Sequence, residues 1–129
     1  MSENTVNQET PIIFLAMFWG GGGPYTIAQI IHVYDWINRA IPNRKDLELA
    51  LNTLLSLKLI TMQDGKFSVP RNVGEDFDKF RKKKRKSKFK TVRMYFKQFN
   101  TPTDLPKLIE LSKEIYTSEL NKYSKFMES

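Results

Sequence analysis

The hydrophobic period of this chain changes from helical to alternating near Lys58, and this change constrains the fold more than any other feature. Before it, two segments repeat apolar residues at intervals of three and four, which predicts two helices that each bury one face. After it, the short runs 59–62 and 67–69 flank Asp64 and Gly65, a pair that is typical of a tight hairpin. The sequence therefore predicts the order helix, turn, helix, hairpin.

Residues that start and stop helices support this order. Thr26 and Gln29 have the spacing of a capping box, and Asn43 is placed to cap the next helix after a turn at Pro42. The buried stripe of the first of these helices is Ile27, Ile30, Ile31, Tyr34 and Ile37, and that of the second is Leu47, Ala50, Leu51, Leu54 and Leu55.

An earlier helix is predicted from Thr10 and Pro11, as its N-cap and first helical position, through the apolar run 12–19. The four glycines 20–23 and Pro24 end it, because glycine loses too much backbone entropy to continue a helix. A glycine run also occurs in phosphate-binding loops, but no Gly-Lys-Ser/Thr motif follows, so a linker is favoured.

The last third of the chain gives weaker signals. Asn72 or Gly74 opens a further predicted helix that runs into a basic stretch. Residues 88–99 fit a helix and a strand equally well, and we favour a helix. From Asp104 to Phe126, apolar residues at helical spacing predict one long helix, interrupted in its apolar face only at Ser112 and Glu119.

This order of elements resembles the winged helix-turn-helix superfamily, most clearly from 26 to 80. The segment DLELALNTLLSLKLITMQDGKFSVP is similar to a common bacterial pattern in which a helix with Leu-x-x-Ala-Leu-x-x-Leu runs into a strand and a wing. The positions that match are Leu47, Ala50, Leu51, Leu54 and Ile60, with Gly65 at the wing tip. The chain departs from the pattern at Lys58, where glycine is common, and at Pro70 and Arg71.

The resemblance implies a mainly α fold with a small β-hairpin wing (α+β), followed by C-terminal helices. Residues 1–86 would form the winged-helix domain, with its core at 11–80. Residues 87–129 would form a helical extension that packs on this domain or dimerises.

The resemblance also implies that the third helix enters the major groove of DNA. The side chains expected to contact DNA are Asn43, Arg44, Lys45, Glu48 and Asn52, with Lys66 on the wing. Arginine and asparagine match the hydrogen-bonding edges of guanine and adenine. The alternative is a solvated face, since Asp46 and Glu48 offset the basic residues. An exposed Leu49 would suit a protein contact better than DNA.

The net charge of +7 is concentrated in one segment. Between 79 and 103 there are eleven Lys or Arg and no acid, whereas the rest of the chain has ten basic and fourteen acidic residues. Such a run binds phosphates with release of counterions. The residues expected to contact phosphate are Arg81, Lys82, Lys83, Lys84, Arg85, Lys86, Lys88 and Lys90. The alternative is a solvated linker. The aromatic residues Phe89, Tyr95 and Phe96 would stack on unpaired bases, sit at a membrane interface or belong to the core.

Composition argues against catalysis. The chain has no cysteine and one histidine, His32, and it lacks a nucleophile triad, a zinc motif and a phosphate-transfer motif. We therefore expect no enzyme activity, no metal and no cofactor, and we assign Trp19 and Trp36 to packing. No basic residue precedes the apolar run 12–19, which is too short to span a bilayer, so a cytoplasmic protein is expected.

The sequence leads to two functional hypotheses. The first is a transcriptional regulator or accessory factor that binds double-stranded DNA, with a homodimer formed through the helix predicted at Asp104–Phe126. The second is an adaptor that uses the winged helix for protein contacts and whose basic segment docks on RNA, acidic protein or anionic membrane, with the membrane the less favoured target.

Overall fold

The computed structural model describes residues 9–99 and 106–128 of the chain. These residues form six α-helices and one two-stranded antiparallel sheet. In chain order the elements are α1 (Glu9–Trp19), α2 (Ile27–Asn38), α3 (Arg44–Ser56), β1 (Thr61–Gln63), β2 (Lys66–Ser68), α4 (Arg71–Lys84), α5 (Lys88–Phe96) and α6 (Lys113–Glu128). The described chain is thus mainly helical with one small hairpin, as the change of hydrophobic period predicts.

The caps of α2 and α3 form as predicted. The Thr26 hydroxyl accepts a hydrogen bond from the Gln29 N–H at 3.2 Å, and the Gln29 side chain accepts one from the Thr26 N–H at 2.8 Å. The Asn43 side chain accepts from the N–H groups of Lys45 and Asp46 at 2.8 and 3.3 Å. These bonds satisfy donors that have no partner inside a helix, which fixes where each helix begins.

The hairpin also follows its local signal. Gln63 pairs with Lys66, and Asp64 and Gly65 between them have φ values of +55° and +73°. A two-residue turn that matches the twist of the two strands requires positive φ at both of its central residues. The prediction of a tight Asp-Gly hairpin is confirmed.

The glycine-rich segment after α1 is tied to this hairpin. Tyr25 and Phe67 exchange two backbone hydrogen bonds of 2.8 Å, and the Val69 N–H donates to the Gly22 carbonyl at 2.8 Å. At Gly23, φ is +96° and a Cβ atom would lie only 2.6 Å from the Phe67 carbonyl oxygen, so only glycine fits. The segment ends α1 as predicted, but these hydrogen bonds fix it to the hairpin, so it is not a free linker.

Helix α1 lies at the centre of the fold. All residues from Thr10 to Met17 are buried, and α1 packs against α2, α3 and α5. Thr10 lies inside α1, so its predicted role as N-cap is wrong. Helix α1 has only 11 residues, and within residues 9–99 and 106–128 no helix has the length and apolar character needed to cross a membrane.

A cluster of aromatic rings joins α1 to α4 and α5. Phe14 on α1 lies 5.4 Å from Phe77 and 5.4 Å from Phe96, both edge to face, and 6.0 Å from Tyr95 in a stacked arrangement. All four rings are buried. Residues 88–96 are helical, so the helix that we favour there is confirmed and the strand alternative is wrong. Helix α4 begins at Arg71, one residue before the predicted Asn72 and three before Gly74.

The segment before α6 differs from the prediction. Asp104 and Leu105 lie outside the described residues, and residues 106–112 form neither helix nor strand, so the predicted helix Asp104–Phe126 begins only at Lys113. The Ser112 hydroxyl accepts from the Ile115 N–H at 3.2 Å and thereby caps the shorter helix. We call residues 106–112 the strap, because they lie along α3. Three of their N–H groups are bound by α3 side chains, which replaces helical hydrogen bonding.

Helix α6 packs on α2 within the same chain. The Glu119 carboxylate accepts from the Ala28 N–H at 3.0 Å, and the Tyr123 hydroxyl donates to Asp35. Leu111 of the strap and Tyr123 belong to the same hydrophobic cluster as α1. The face of α6 that we expect to dimerise therefore has contacts inside this chain, and the homodimer stays a prediction.

Because of the Tyr123 hydrogen bond, the stability of the fold is expected to fall at alkaline pH. The hydrogen bond to Asp35, together with burial, raises the pKa of Tyr123 to about 12. In the unfolded chain the group ionises near its ordinary pKa of about 10, so the unfolded state loses its proton first and stability falls between pH 10 and 12. We expect this tyrosine to cost about 1 kcal/mol between pH 9 and 11. Urea unfolding of Tyr123→Phe at both pH values is expected to lack that part of the loss.

Candidate nucleic-acid interface

The polar face of α3 is occupied by the strap. Asn52, which is only 4% exposed, accepts hydrogen bonds at its side-chain oxygen from the N–H groups of Leu108 and Ile109 at 2.7 and 2.9 Å. Its side-chain nitrogen donates to the Ile109 carbonyl at 3.1 Å and to the Glu48 carbonyl at 3.0 Å. Both acceptor positions and both donor positions of this amide are thus satisfied inside the chain.

Glu48 and Arg44 bind the next part of the strap. The Leu111 N–H donates to Glu48 Oε2 at 2.6 Å, and Lys107 Nζ lies 3.9 Å from Glu48 Oε1. Arg44 Nη1 donates to the Leu111 carbonyl at 3.0 Å. Arg44, Glu48 and Asn52 are spaced four residues apart, so all three lie on one side of α3. The polar side of α3 therefore binds the peptide backbone of the strap.

The side chains predicted to contact DNA from α3 therefore fall into three groups. Arg44, Glu48 and Asn52 hold the strap. Asn43 is exposed, but its side-chain oxygen caps the helix. Lys45 is exposed, and Leu49 beside this face is 42% exposed. Four of the five side chains thus have partners within the chain, three of them in the strap, and the contact of all five with DNA stays a prediction.

The run of basic residues lies at the junction of α4 and α5. Helix α4 ends at Lys84, and Arg85 reverses the chain with φ of +50°. Ser87 caps α5, its hydroxyl accepting from the Lys90 N–H at 3.3 Å, and the Thr91 hydroxyl donates to the Lys86 carbonyl at 3.3 Å. The run thus spans the end of α4, a turn and the start of α5, and whether its side chains contact phosphate or are merely solvated stays open.

Nine basic side chains at this junction are exposed, and we call them the basic surface. They are Lys82, Lys83, Lys84, Arg85, Lys86, Lys88, Lys90, Arg93 and Lys97. The sequence predicts seven of them as phosphate contacts. It does not single out Arg93 and Lys97, although their spacing of three and seven residues from Lys90 places them on the same side of a helix. With Lys86 and Lys90 they border an open groove of about 590 Å³, whose apolar lining comes from Phe89 and Met94.

Arg81 is the predicted phosphate contact that is not part of the basic surface. It is half-buried, and its guanidinium donates to Asp78 at 2.7 Å and lies 5.1 Å from the centroid of the Trp19 ring. Asp78 also pairs with Lys82 at 3.0 Å. The hydrogen bond from Lys82, and after it the contact with Arg81, hold the pKa of Asp78 below its ordinary value. Arg81 thus ties α4 to the end of α1.

The aromatic residues near the basic run belong mainly to the core. Tyr95 and Phe96 are 2% and 3% exposed, and the Tyr95 hydroxyl donates to Asp76 at 2.7 Å. Burial of its ring, followed by this bond, raises the pKa of Tyr95 above its ordinary value. Phe89 is half-buried, with Lys88 Nζ 5.7 Å from its centroid. Of the three aromatic residues considered for stacking, only Phe89 is accessible.

The remaining candidate positions are dispersed. Lys66 is exposed on β2 next to the hairpin turn, and His32 is exposed on α2 with its ring 5.7 Å from that of Tyr123. Trp36 is 68% exposed, so its assignment to packing is wrong, and Trp19 is 40% exposed. Among residues 9–99 and 106–128, no three His, Cys, Asp or Glu side chains are grouped closely enough to hold a metal ion.

Comparisons with known proteins do not identify a relative. The chain matches no family model, no curated protein and no solved structure. Its function must therefore be argued from the surface that its own residues build.

Proposed function

We propose that the protein is a winged-helix DNA-binding protein, a regulator or accessory factor, that holds duplex DNA through the basic surface. The observation that carries this proposal is the concentration of nine exposed basic side chains on a folded α4–α5 junction, with no acid between 79 and 103. Like charges held this close repel one another, and phosphates relieve that repulsion.

The order of elements supports the winged-helix part of the proposal. A helix, a single bridge residue at Tyr25, two helices and a hairpin follow one another. The bridge residue pairs with β2, which in turn pairs with β1, so the two-stranded sheet is extended by one isolated bridge. The hairpin would be the wing, and its exposed Lys66 would add a phosphate contact.

The DNA contact is assigned to the basic surface and not to α3, because the α3 side chains are engaged with the strap. A surface made of lysines and arginines without a readout helix binds phosphates irrespective of sequence. We therefore expect the protein in this conformation to bind random duplex DNA with strong salt dependence and little sequence preference.

The test is a fluorescence anisotropy titration of random duplex DNA with two charge-matched triple variants. The first variant changes Lys83, Lys86 and Lys90 to Gln and so removes three positive charges from the basic surface. The control variant removes three positive charges from exposed positions elsewhere, by changing Lys58, Lys113 and Lys122 to Gln. The first variant is expected to bind at least about tenfold more weakly at low salt, with a log–log salt slope shallower by about 0.9 for each phosphate that is no longer neutralised. Equal weakening in both variants would contradict the proposal.

The groove gives specific support to one alternative, an adaptor with a basic docking surface. Phe89 and Met94 supply apolar contact between cations, an arrangement that also suits acidic protein, RNA or an anionic membrane. The same titration with single-stranded RNA, and pelleting with vesicles of anionic and of neutral lipid, separate these partners. Binding to anionic vesicles or RNA without binding to duplex would favour the adaptor.

A further inference from the structure

We infer that the strap competes with duplex DNA for Arg44, Glu48 and Asn52 of α3, and that its release opens a second, sequence-reading DNA interface. This inference rests on the proposed function and adds regulation to it. It starts from the hydrogen bonds that join residues 107–111 to Arg44, Glu48 and Asn52.

The strap satisfies the groups of α3 that base edges would satisfy. Asn52 accepts from N–H groups and donates to a carbonyl, which is the pattern it would use on N6 and N7 of adenine. Arg44 donates to a carbonyl oxygen, as it would to O6 of guanine. Glu48 accepts from an N–H group, as it would from N4 of cytosine. Strap and duplex therefore exclude each other on this face.

The strap is held by these polar bonds and by the apolar contacts of Leu111 and Ile109. Of its seven residues only Leu111 is fully buried, Ile109 and Ser112 are half-buried, and the other four are exposed. Base edges of a matching sequence would replace the hydrogen bonds that release breaks, so the remaining cost is the loss of the core contacts of Leu111 and Ile109. Closed protein binds DNA through the basic surface alone, and open protein adds readout through α3.

The test uses a pair of full-length variants that change only the strap. The proline variant carries Leu108→Pro and Ile109→Pro, which removes both N–H donors to Asn52. The alanine variant carries Leu108→Ala and Ile109→Ala, which removes the same side chains but keeps the donors. Neither changes the charge, α3 or the basic surface. Amide exchange of Leu111, followed by NMR, reports whether the strap has opened, while the amides of α1 report whether the fold is intact.

DNA readout is measured by selection from a randomised duplex library. The proline variant is expected to exchange its Leu111 amide at least about tenfold faster and to enrich a sequence motif, whereas the wild type and the alanine variant enrich none. Adding Asn52→Ala to the proline variant is expected to remove the motif. A proline variant that opens but enriches no motif would overturn the inference, and so would one whose Leu111 amide stays as protected as in the wild type.

A second pair covers the case in which the proline variant does not fold. Lys107→Glu places a negative charge beside Glu48, and Lys113→Glu makes the same charge change on an exposed residue with no part in the strap contact. The first is expected to speed Leu111 exchange and enrich the motif, and the second to do neither. If the wild type binds no duplex at low salt, the proposed function fails; if it binds and no opened variant selects a motif, only this inference fails.

Discussion

Replacing Phe14 with alanine is expected to lower the free energy of unfolding by about 3–5 kcal/mol, a large part of the stability of a typical small domain. The side chain is fully buried in α1 and contacts rings on two other helices, Phe77 on α4 and both Tyr95 and Phe96 on α5. Its removal leaves a cavity that three large rings cannot fill without leaving their own contacts.

The measurement is urea unfolding followed by far-UV circular dichroism, with Phe89→Ala as the control. Phe89 lies on α5 as well, but it is half-buried and borders the groove, so its loss is expected to cost about 1 kcal/mol or less. Because Phe14 fixes the packing of Phe77, Tyr95 and Phe96, a surviving folded fraction of Phe14→Ala is also expected to show a weaker near-UV circular dichroism signal. Equal destabilisation by the two variants would contradict this account of the core.

The parts of the fold that the sequence predicts are those with local causes. Thr26, Gln29 and Asn43 bond to backbone groups within three residues of themselves, and Asp64 with Gly65 bends the chain between adjacent residues. Such interactions are complete within a few residues, so their signals can be read without knowledge of the rest of the chain. The short sheet bridge at Tyr25 has no such signal, because its partner Phe67 lies far along the sequence.

The prediction for the strap is wrong because its pattern is ambiguous. Leu105, Leu108 and Ile109 are compatible with helical spacing, and the competing structure depends on Asn52 and Glu48, more than fifty residues earlier. Tertiary hydrogen bonds outweigh a weak helical pattern here. One local signal is present, since Ser112 is a good N-cap as well as an interruption of an apolar face.

The candidate site divides in the same way. The density of lysine and arginine between 81 and 90 is visible in the sequence, and the structure leaves most of these side chains exposed. The sequence does not show whether a given basic or polar side chain is exposed in the fold or already bound to another part of the chain. Arg81 pairs with Asp78 and packs on Trp19, and Asn52 is buried under the strap, yet both have the pattern of solvent-facing residues. Amphipathic spacing identifies the core face of a helix and says nothing about what covers the opposite face.

Asn52 offers the sharpest test of this distinction. Asn52→Ala is expected to lower the free energy of unfolding by about 2 kcal/mol, because the N–H groups of Leu108 and Ile109 and the Ile109 carbonyl lose their partner in a partly buried place. Asn121→Ala is the control, since Asn121 is exposed on α6 and its replacement is expected to change stability by less than about 0.5 kcal/mol.

The same variant separates a structural role for Asn52 from a role in binding the duplex. With α3 covered by the strap, the wild type holds random duplex through the basic surface, so Asn52→Ala is expected to keep its affinity within about twofold while Leu111 exchange speeds up. A tenfold or greater drop in affinity with unchanged stability would mean that Asn52 contacts DNA in the wild type, and the strap would then be open in solution. Urea unfolding and anisotropy on one preparation of the variant decide between the two.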